Sequence, residues 1–185
     1  CDWLRTDLKQ VARDGSTSLS YCHEQLLKLD PHDLHLPGWD ESYTPEQLSG
    51  LIEEYSSVSY DKLFENLVYF LKGIMPACDE TGINMAIHPD DPPWSMFGLP
   101  RIITGAESYD RMIAAVPNKH NGFTFCTGSL GAGRFNDLVA MAKKYAGRIY
   151  FAHIRQLKYN GDTDFTEAGH LTAAGNLDIY GIVKA

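Results

Sequence analysis

The sequence has no long apolar run, no excess of positive charge and no paired cysteine spacing, and each absence removes a class of protein. No stretch approaches the ~20 apolar residues of a membrane span, so no membrane partner is expected. Lys and Arg number 16 against 24 Asp and Glu, which leaves a net charge of −8. That balance opposes a nucleic-acid partner, because phosphate contacts need a basic surface. It leaves room for a small anionic substrate, since a metal and a few arginines can reverse the field locally. The four cysteines, at 1, 22, 78 and 126, form no CxxC pair. This usage fits a reducing cytoplasm better than a disulfide scaffold. Internal repeats and low-complexity tracts are also lacking.

What is present is a rhythm. Three short apolar runs end on metal-ligand residues: 84–88 on His88, 122–126 on Cys126 and 148–153 on His153. The intervening segments read as helices. Thr44-Pro45-Glu46-Gln47 is a capping box with proline in the first turn. Ser59 opens a second helix with Leu63, Leu67, Leu71 and Ile74 on one face, bent by Pro76 and stopped by Gly82. Helices are also expected over 106–116 and 136–146, with another starting near Asp178. Ser18 to Leu29 reads as a helix ended by Asp30-Pro31. Trp3 to Asp7 reads as a strand exit, 14–16 as a turn and 36–40 as a loop.

Strands alternating with helices predict βαβ units and a parallel sheet. The fold class expected is α/β, a (β/α)8 TIM-type barrel, which gathers its strand ends at one mouth. Side chains alternate faces along a strand, so His88, Cys126 and His153 share faces with Ala86, Thr124 and Phe151. The opposite faces, with Met85, Ile87, Phe123, Phe125, Tyr150 and Ala152, suit an outer helical layer. A complete barrel usually needs about 250 residues, and this chain has 185. It begins Cys1-Asp2-Trp3 and stops within an amphipathic pattern. Residues 1–185 are therefore expected to be a single domain, an internal part of a longer barrel chain that lacks the first strands and the last segment. A barrel open on both sides would expose apolar strand edges, which favours self-association into a homo-oligomer, or disorder.

A strand-end histidine alone is more often structural than ligating, and a lone cysteine more often a small apolar group. Three such residues at the same end of successive strands point instead to a divalent cation with an open coordination position. The loop 88–93 carries Asp90 and Asp91, which either orient His88, bind substrate hydroxyls or merely make a turn. Arg101 is placed to grip a carboxylate, or to make a surface ion pair. Residues 127–131 contain two glycines, which either let a ligand approach the backbone or form an ordinary turn. Arg155 alternates with His153 and should lie near the mouth. His170, in a Gly-containing loop, is a candidate substrate contact or proton donor. His120 reads as an exposed turn residue. His23, His32 and His35 lack supporting context, and Cys22 and Cys78 read as packing residues.

Together H-P-D-D-P-P at 88–93, F-G-L-P-R at 97–101, F-C-T-G-S-L-G at 125–131, F-A-H-I-R at 151–155 and E-A-G-H-L at 167–171 closely resemble the mannonate dehydratase family. W-L-R-T-D at 3–7 and L-P-G-W-D at 36–40 add to the likeness. The resemblance covers essentially the whole chain. It implies a xylose-isomerase-like TIM barrel and a hydro-lyase that dehydrates D-mannonate to 2-keto-3-deoxy-D-gluconate in hexuronate breakdown, with Mn2+ or Fe2+. It implies His88, Cys126 and His153 as metal ligands. It places the fourth ligand, an aspartate, with the residues implicated in proton transfer, in a segment after residue 185. Ala168-Gly169 departs from the small pair that usually precedes the histidine matching His170.

Overall fold

The computed structural model describes residues 20–28 and 44–185. Strand β1 (Ser20–Tyr21) and helix α1 (His23–Leu26) are followed by α2 (Pro45–Ser56) and α3 (Tyr60–Thr81). Then come β2 (Met85–Ile87), α4 (Ala106–Ala115), β3 (Asn121–Cys126), α5 (Thr127–Ala132), α6 (Leu138–Tyr145) and β4 (Ile149–His153). Strands β5 (Gln156–Tyr159) and β6 (Phe165–Ala168) and helix α7 (Ile179–Lys184) complete the order. The fold is mixed α/β with a parallel sheet, β2-β3-β4, and a second sheet, β1-β6-β5, that is antiparallel. Among the described residues no helix is long and apolar enough to cross a membrane.

Local chemistry sets the helix boundaries. Thr44 caps α2 through the amide of Gln47, and the Gln47 side chain returns a bond to the Thr44 amide. A cap of this kind is worth about 1 kcal/mol. Ser59 caps α3, which continues through Pro76 to Gly82, where φ of 71° ends it in the left-handed region. Asp137 and Asp178 cap α6 and α7 through the amides of Ala140 and Gly181.

Strand β3 is buried on both faces, as the central strand of a covered parallel sheet must be. Its Phe123 ring stacks on Tyr109 of α4 at 3.7 Å, and Tyr145 of α6 meets both rings edge-on. Such pairs add about 0.5–1.5 kcal/mol each beyond their burial. The face carrying Thr124 and Cys126 is therefore turned away from these helices, as the alternation predicts.

The register contains an irregularity that positions the site. Phe123 pairs with Ile149, but Thr124 pairs with Phe151, so Tyr150 is the extra residue of a bulge. Its ring lies over Gly122, where a Cβ would come within 2.3 Å of the Arg148 carbonyl and 2.4 Å of the Tyr150 ring. The Tyr150 hydroxyl donates to the Lys119 carbonyl.

Three expectations need correction. Ser18 to Leu29 is not one helix, because residues 20 and 21 pair with β6, Tyr21 stacks on Phe165 and only His23–Leu26 is helical. The loop expected before His170 contains β6, paired with β5 in a hairpin. Residues 127–131 form a short helix rather than an open turn, and their glycine space is already filled by this chain. A Cβ on Gly128 would meet the Arg155 side chain at 2.7 Å, and one on Gly131 would meet Leu177 at 2.7 Å. The expected strand exit at 3–7, turn at 14–16 and loop at 36–40 lie outside the described residues.

Gly122→Ala must displace a backbone carbonyl as well as a ring. It is expected to cost about 1–3 kcal/mol, read as a lower urea midpoint at unchanged slope.

Candidate metal centre

The ends of the parallel strands bring three donor side chains together. Cys126 and His153 are the last residues of β3 and β4 and are direct neighbours across the ladder. His88 follows β2, two residues beyond Ala86, which pairs with Gly122. Its position is thus level with Thr124, on the same face as Cys126. One donor atom from each of His88, Cys126 and His153 lies within 4.8 Å of the other two. The Cys126 sulfur is 3.4 Å from His153 Nδ1. Ligands about 2.0–2.3 Å from a tetrahedral cation sit roughly 3.5 Å apart, so the cluster is close to ligating geometry and needs only a small inward adjustment. Two imidazoles and a thiolate suit a borderline divalent cation.

The protonation chemistry also fits. His88 Nδ1 lies 2.7 Å from the Pro89 carbonyl. A carbonyl only accepts, so Nδ1 carries the hydrogen and the neutral ring keeps its lone pair on Nε2. Burial pushes the Cys126 thiol up, but hydrogen bonds from His88 and Ser129 and the charge of Arg155 outweigh it and bring the group down to about 6. The hydrogen bond with Cys126 raises His88, against its partial burial. A lowered thiol beside an imidazole with a free ring nitrogen is the donor chemistry that cation binding requires, since binding needs the thiolate and the neutral ring. A thiolate beside an imidazole can also act as a nucleophile. Cys126 is fully buried while both histidines are exposed, an arrangement that suits an ion reached between the imidazoles better than direct attack by sulfur.

A polar collar surrounds the sulfur. Ser129 Oγ donates to Cys126 Sγ at 3.1 Å. Arg155 Nη1 approaches Ser129 Oγ at 3.4 Å and the sulfur at 3.9 Å. The same guanidinium is ion-paired with Asp91 and Glu167. Burial opposes its charge, yet these carboxylates hold it firmly protonated. Arg155 thus lies beside the cluster, as its alternation with His153 implies, with its charge already partnered.

The remaining candidates are more dispersed. One oxygen of Asp90 accepts from the amides of Ile102 and Ile103 at 2.8 Å each, and its own amide donates to the Ile103 carbonyl. Asp90 thereby closes the loop that follows His88. Arg101 stands 3.6 Å from Asp90, and its buried Nε has no partner in the structure. His170 is exposed, with Nε2 3.0 Å from the Ile154 carbonyl. His120 is buried rather than an exposed turn residue, because Asn84 and Asp79 supply polar neighbours at 2.6 and 3.8 Å. His23 has a context after all, contacting the Tyr21 hydroxyl and the Trp94 indole at 2.9 and 3.2 Å. Cys22 and Cys78 are buried and free, while Cys1, His32 and His35 lie outside the described residues.

Sequence reasoning missed Ser129 and Glu167. The signal for Ser129 was its three-residue offset from Cys126, which is helical reach once the chain turns directly into α5. Glu167 could be found only through the hairpin that returns it to Arg155.

Cys126→Ser is expected to weaken Zn2+ binding by more than about tenfold and to abolish the thiolate-to-metal absorption of the Co2+ form. Asp90→Ala is expected to lower the thermal midpoint with little effect on metal affinity, because its bonds close a loop. Melting curves and metal titration separate the two outcomes.

The profile of the D-mannonate dehydratase (UxuA) family matches residues 1–185. The mannonate dehydratase of Oceanobacillus iheyensis is 45% identical over 186 residues, covering 100% of this chain and 53% of the relative. Mannonate dehydratase 1 of Bacillus licheniformis is 48% identical over 194 residues, again covering 100% and 53%. The crystal structure of mannonate dehydratase from Streptococcus suis serotype2 superposes with a TM-score of 0.83 at 40% identity, over 100% of this chain and 50% of that one. The chain spans about half the length of the curated relatives it matches. It belongs to the D-mannonate dehydratase (UxuA) family.

Proposed function

We propose that the full-length protein is a hydro-lyase that converts D-mannonate to 2-keto-3-deoxy-D-gluconate, on a Mn2+ or Fe2+ ion held by His88, Cys126 and His153. The observation that carries this reading is the convergence of those three donors at the ends of adjacent parallel strands. Family membership supports the reaction, and the strand–helix alternation supports a TIM-type barrel of which residues 1–185 are one part. The reaction is assigned to the cytoplasm.

The chemistry sets clear demands. A proton on C2 of a sugar acid is weakly acidic, and the C3 hydroxyl is a poor leaving group. The cation, when bound, would supply Lewis-acid stabilisation of the negative charge that spreads into the carboxylate as C2 loses its proton. His88 and His153 are the exposed members of the cluster, so their side is the one on which a sugar acid can reach the ion. The His88 tautomer, held by the Pro89 carbonyl, keeps Nε2 available as a ligand. Arg101, with one carboxylate partner at 3.6 Å and an unpartnered Nε, keeps more capacity to grip a substrate carboxylate than Arg155, which is paired with both Asp91 and Glu167. His170 Nε2 donates to the Ile154 carbonyl, which leaves Nδ1 as the ring nitrogen that can meet a substrate hydroxyl. Asp90 acts at one remove, by holding the loop between His88 and Arg101.

Incubating the full-length protein with D-mannonate and Mn2+ is expected to release a 2-keto-3-deoxy acid, detected by its periodate–thiobarbiturate colour. Chelation should abolish turnover, and added Mn2+ should restore it. A ketose or an epimer formed without loss of water would assign the protein to isomerisation on the same type of barrel. No product at all would reject the proposal.

A further inference from the structure

A thiolate is an unusual ligand for Mn2+ and suits Fe2+ or Zn2+ better. Sulfur donors favour softer cations, so the unmodified donor set would select against Mn2+. The surroundings of Cys126 bear on this conflict. Ser129, fully buried, donates its hydroxyl hydrogen to the sulfur at 3.1 Å. Arg155 Nη1 lies 3.4 Å behind that hydroxyl and 3.9 Å from the sulfur itself. Asp91 and Glu167 grip the guanidinium from two other segments, and its stem lies against Gly128, where a Cβ would collide at 2.7 Å. The arginine is thus held against the hydroxyl, and the chain N–H to O–H to sulfur polarises in one direction.

We infer that Ser129, polarised by Arg155, is a positioning residue that withdraws charge from the Cys126 sulfur and thereby sets which divalent cation the centre retains. A hydrogen bond to a sulfur lone pair removes electron density that would otherwise enter the metal–sulfur bond. The loss is largest for a cation that binds thiolate covalently and smallest for one held mainly by charge. The hydroxyl therefore narrows the advantage of Zn2+ over Mn2+. If Ser129 only satisfied a buried hydroxyl, its removal would affect both cations alike.

The inference rests on the metal-centre reading, and the experiment separates the two. Full-length protein is stripped of metal, and the affinities of Zn2+ and Mn2+ are measured by competition for the wild type, Ser129→Ala and Arg155→Lys. The Co2+ forms are examined for thiolate-to-metal absorption. Ser129→Ala is expected to raise the Zn2+ to Mn2+ affinity ratio about tenfold, the lower end of the range for outer partners of metal ligands. It should also move the absorption band to longer wavelength. Arg155→Lys should shift both in the same direction by less, and it serves if Ser129→Ala does not fold. An unchanged ratio with an unmoved band would overturn the inference, as would equal weakening of both cations. A wild-type Co2+ form with no thiolate band would overturn the metal-centre reading itself, whatever the variants do.

Discussion

Between Phe123 and Thr124 the pairing of β3 with β4 slips by one residue, and that slip carries His153 level with Cys126. Regular continuation from the Phe123–Ile149 pair would set Ala152 beside the cysteine instead. The slip is anchored at the other end of the sheet. Arg148 donates to the carbonyls of Pro117, Asn118 and Asn121, the segment that leads into β3. Tyr150 lays its ring on Gly122 and bonds to Lys119. A glycine and two long side chains at the base of the strands thus determine whether an imidazole and a thiol meet at the top.

The second dependence is electrostatic. Even a partly buried guanidinium is costly unless it is paired and hydrogen-bonded. Arg155 is paired twice, with Asp91 from the loop after β2 and with Glu167 from β6. These pairs tie the loop beside His88 to the antiparallel sheet and hold a positive charge near the sulfur. Asp90 adds a constraint on the same loop by closing it onto Ile102 and Ile103. The neighbouring aspartates therefore do different work: Asp90 organises backbone amides and stands beside Arg101, and Asp91 pairs with Arg155.

Much of the parallel sheet was legible in the sequence, because helix caps are local. Thr44 with Gln47, Ser59 with Lys62, and Asp178 with Gly181 each act over three residues. The positions of the three clustered donors, His88, Cys126 and His153, were legible for a related reason, since each ends a short apolar run and alternation assigns its face. The antiparallel sheet was not legible. Ser20 bonds to Thr166 across 146 residues, and two residues of strand carry no periodicity. His120 was misread because Asn118 and Gly122 look like turn residues. The histidine nonetheless closes the base of β3 and bonds to Asn84.

The amino-acid sequence by itself determined the alternation of strands and helices, the side chains available to bind a cation and the family to which they belong. These follow from near-neighbour spacing and from residue chemistry. Only the tertiary structure decided that Cys126 and His153 share a level, that Arg155 is spent on two carboxylates and that Ser129 reaches the sulfur. Those facts depend on a register shift and on contacts between distant segments. A pairing register is a collective outcome of packing, so no local pattern encodes it.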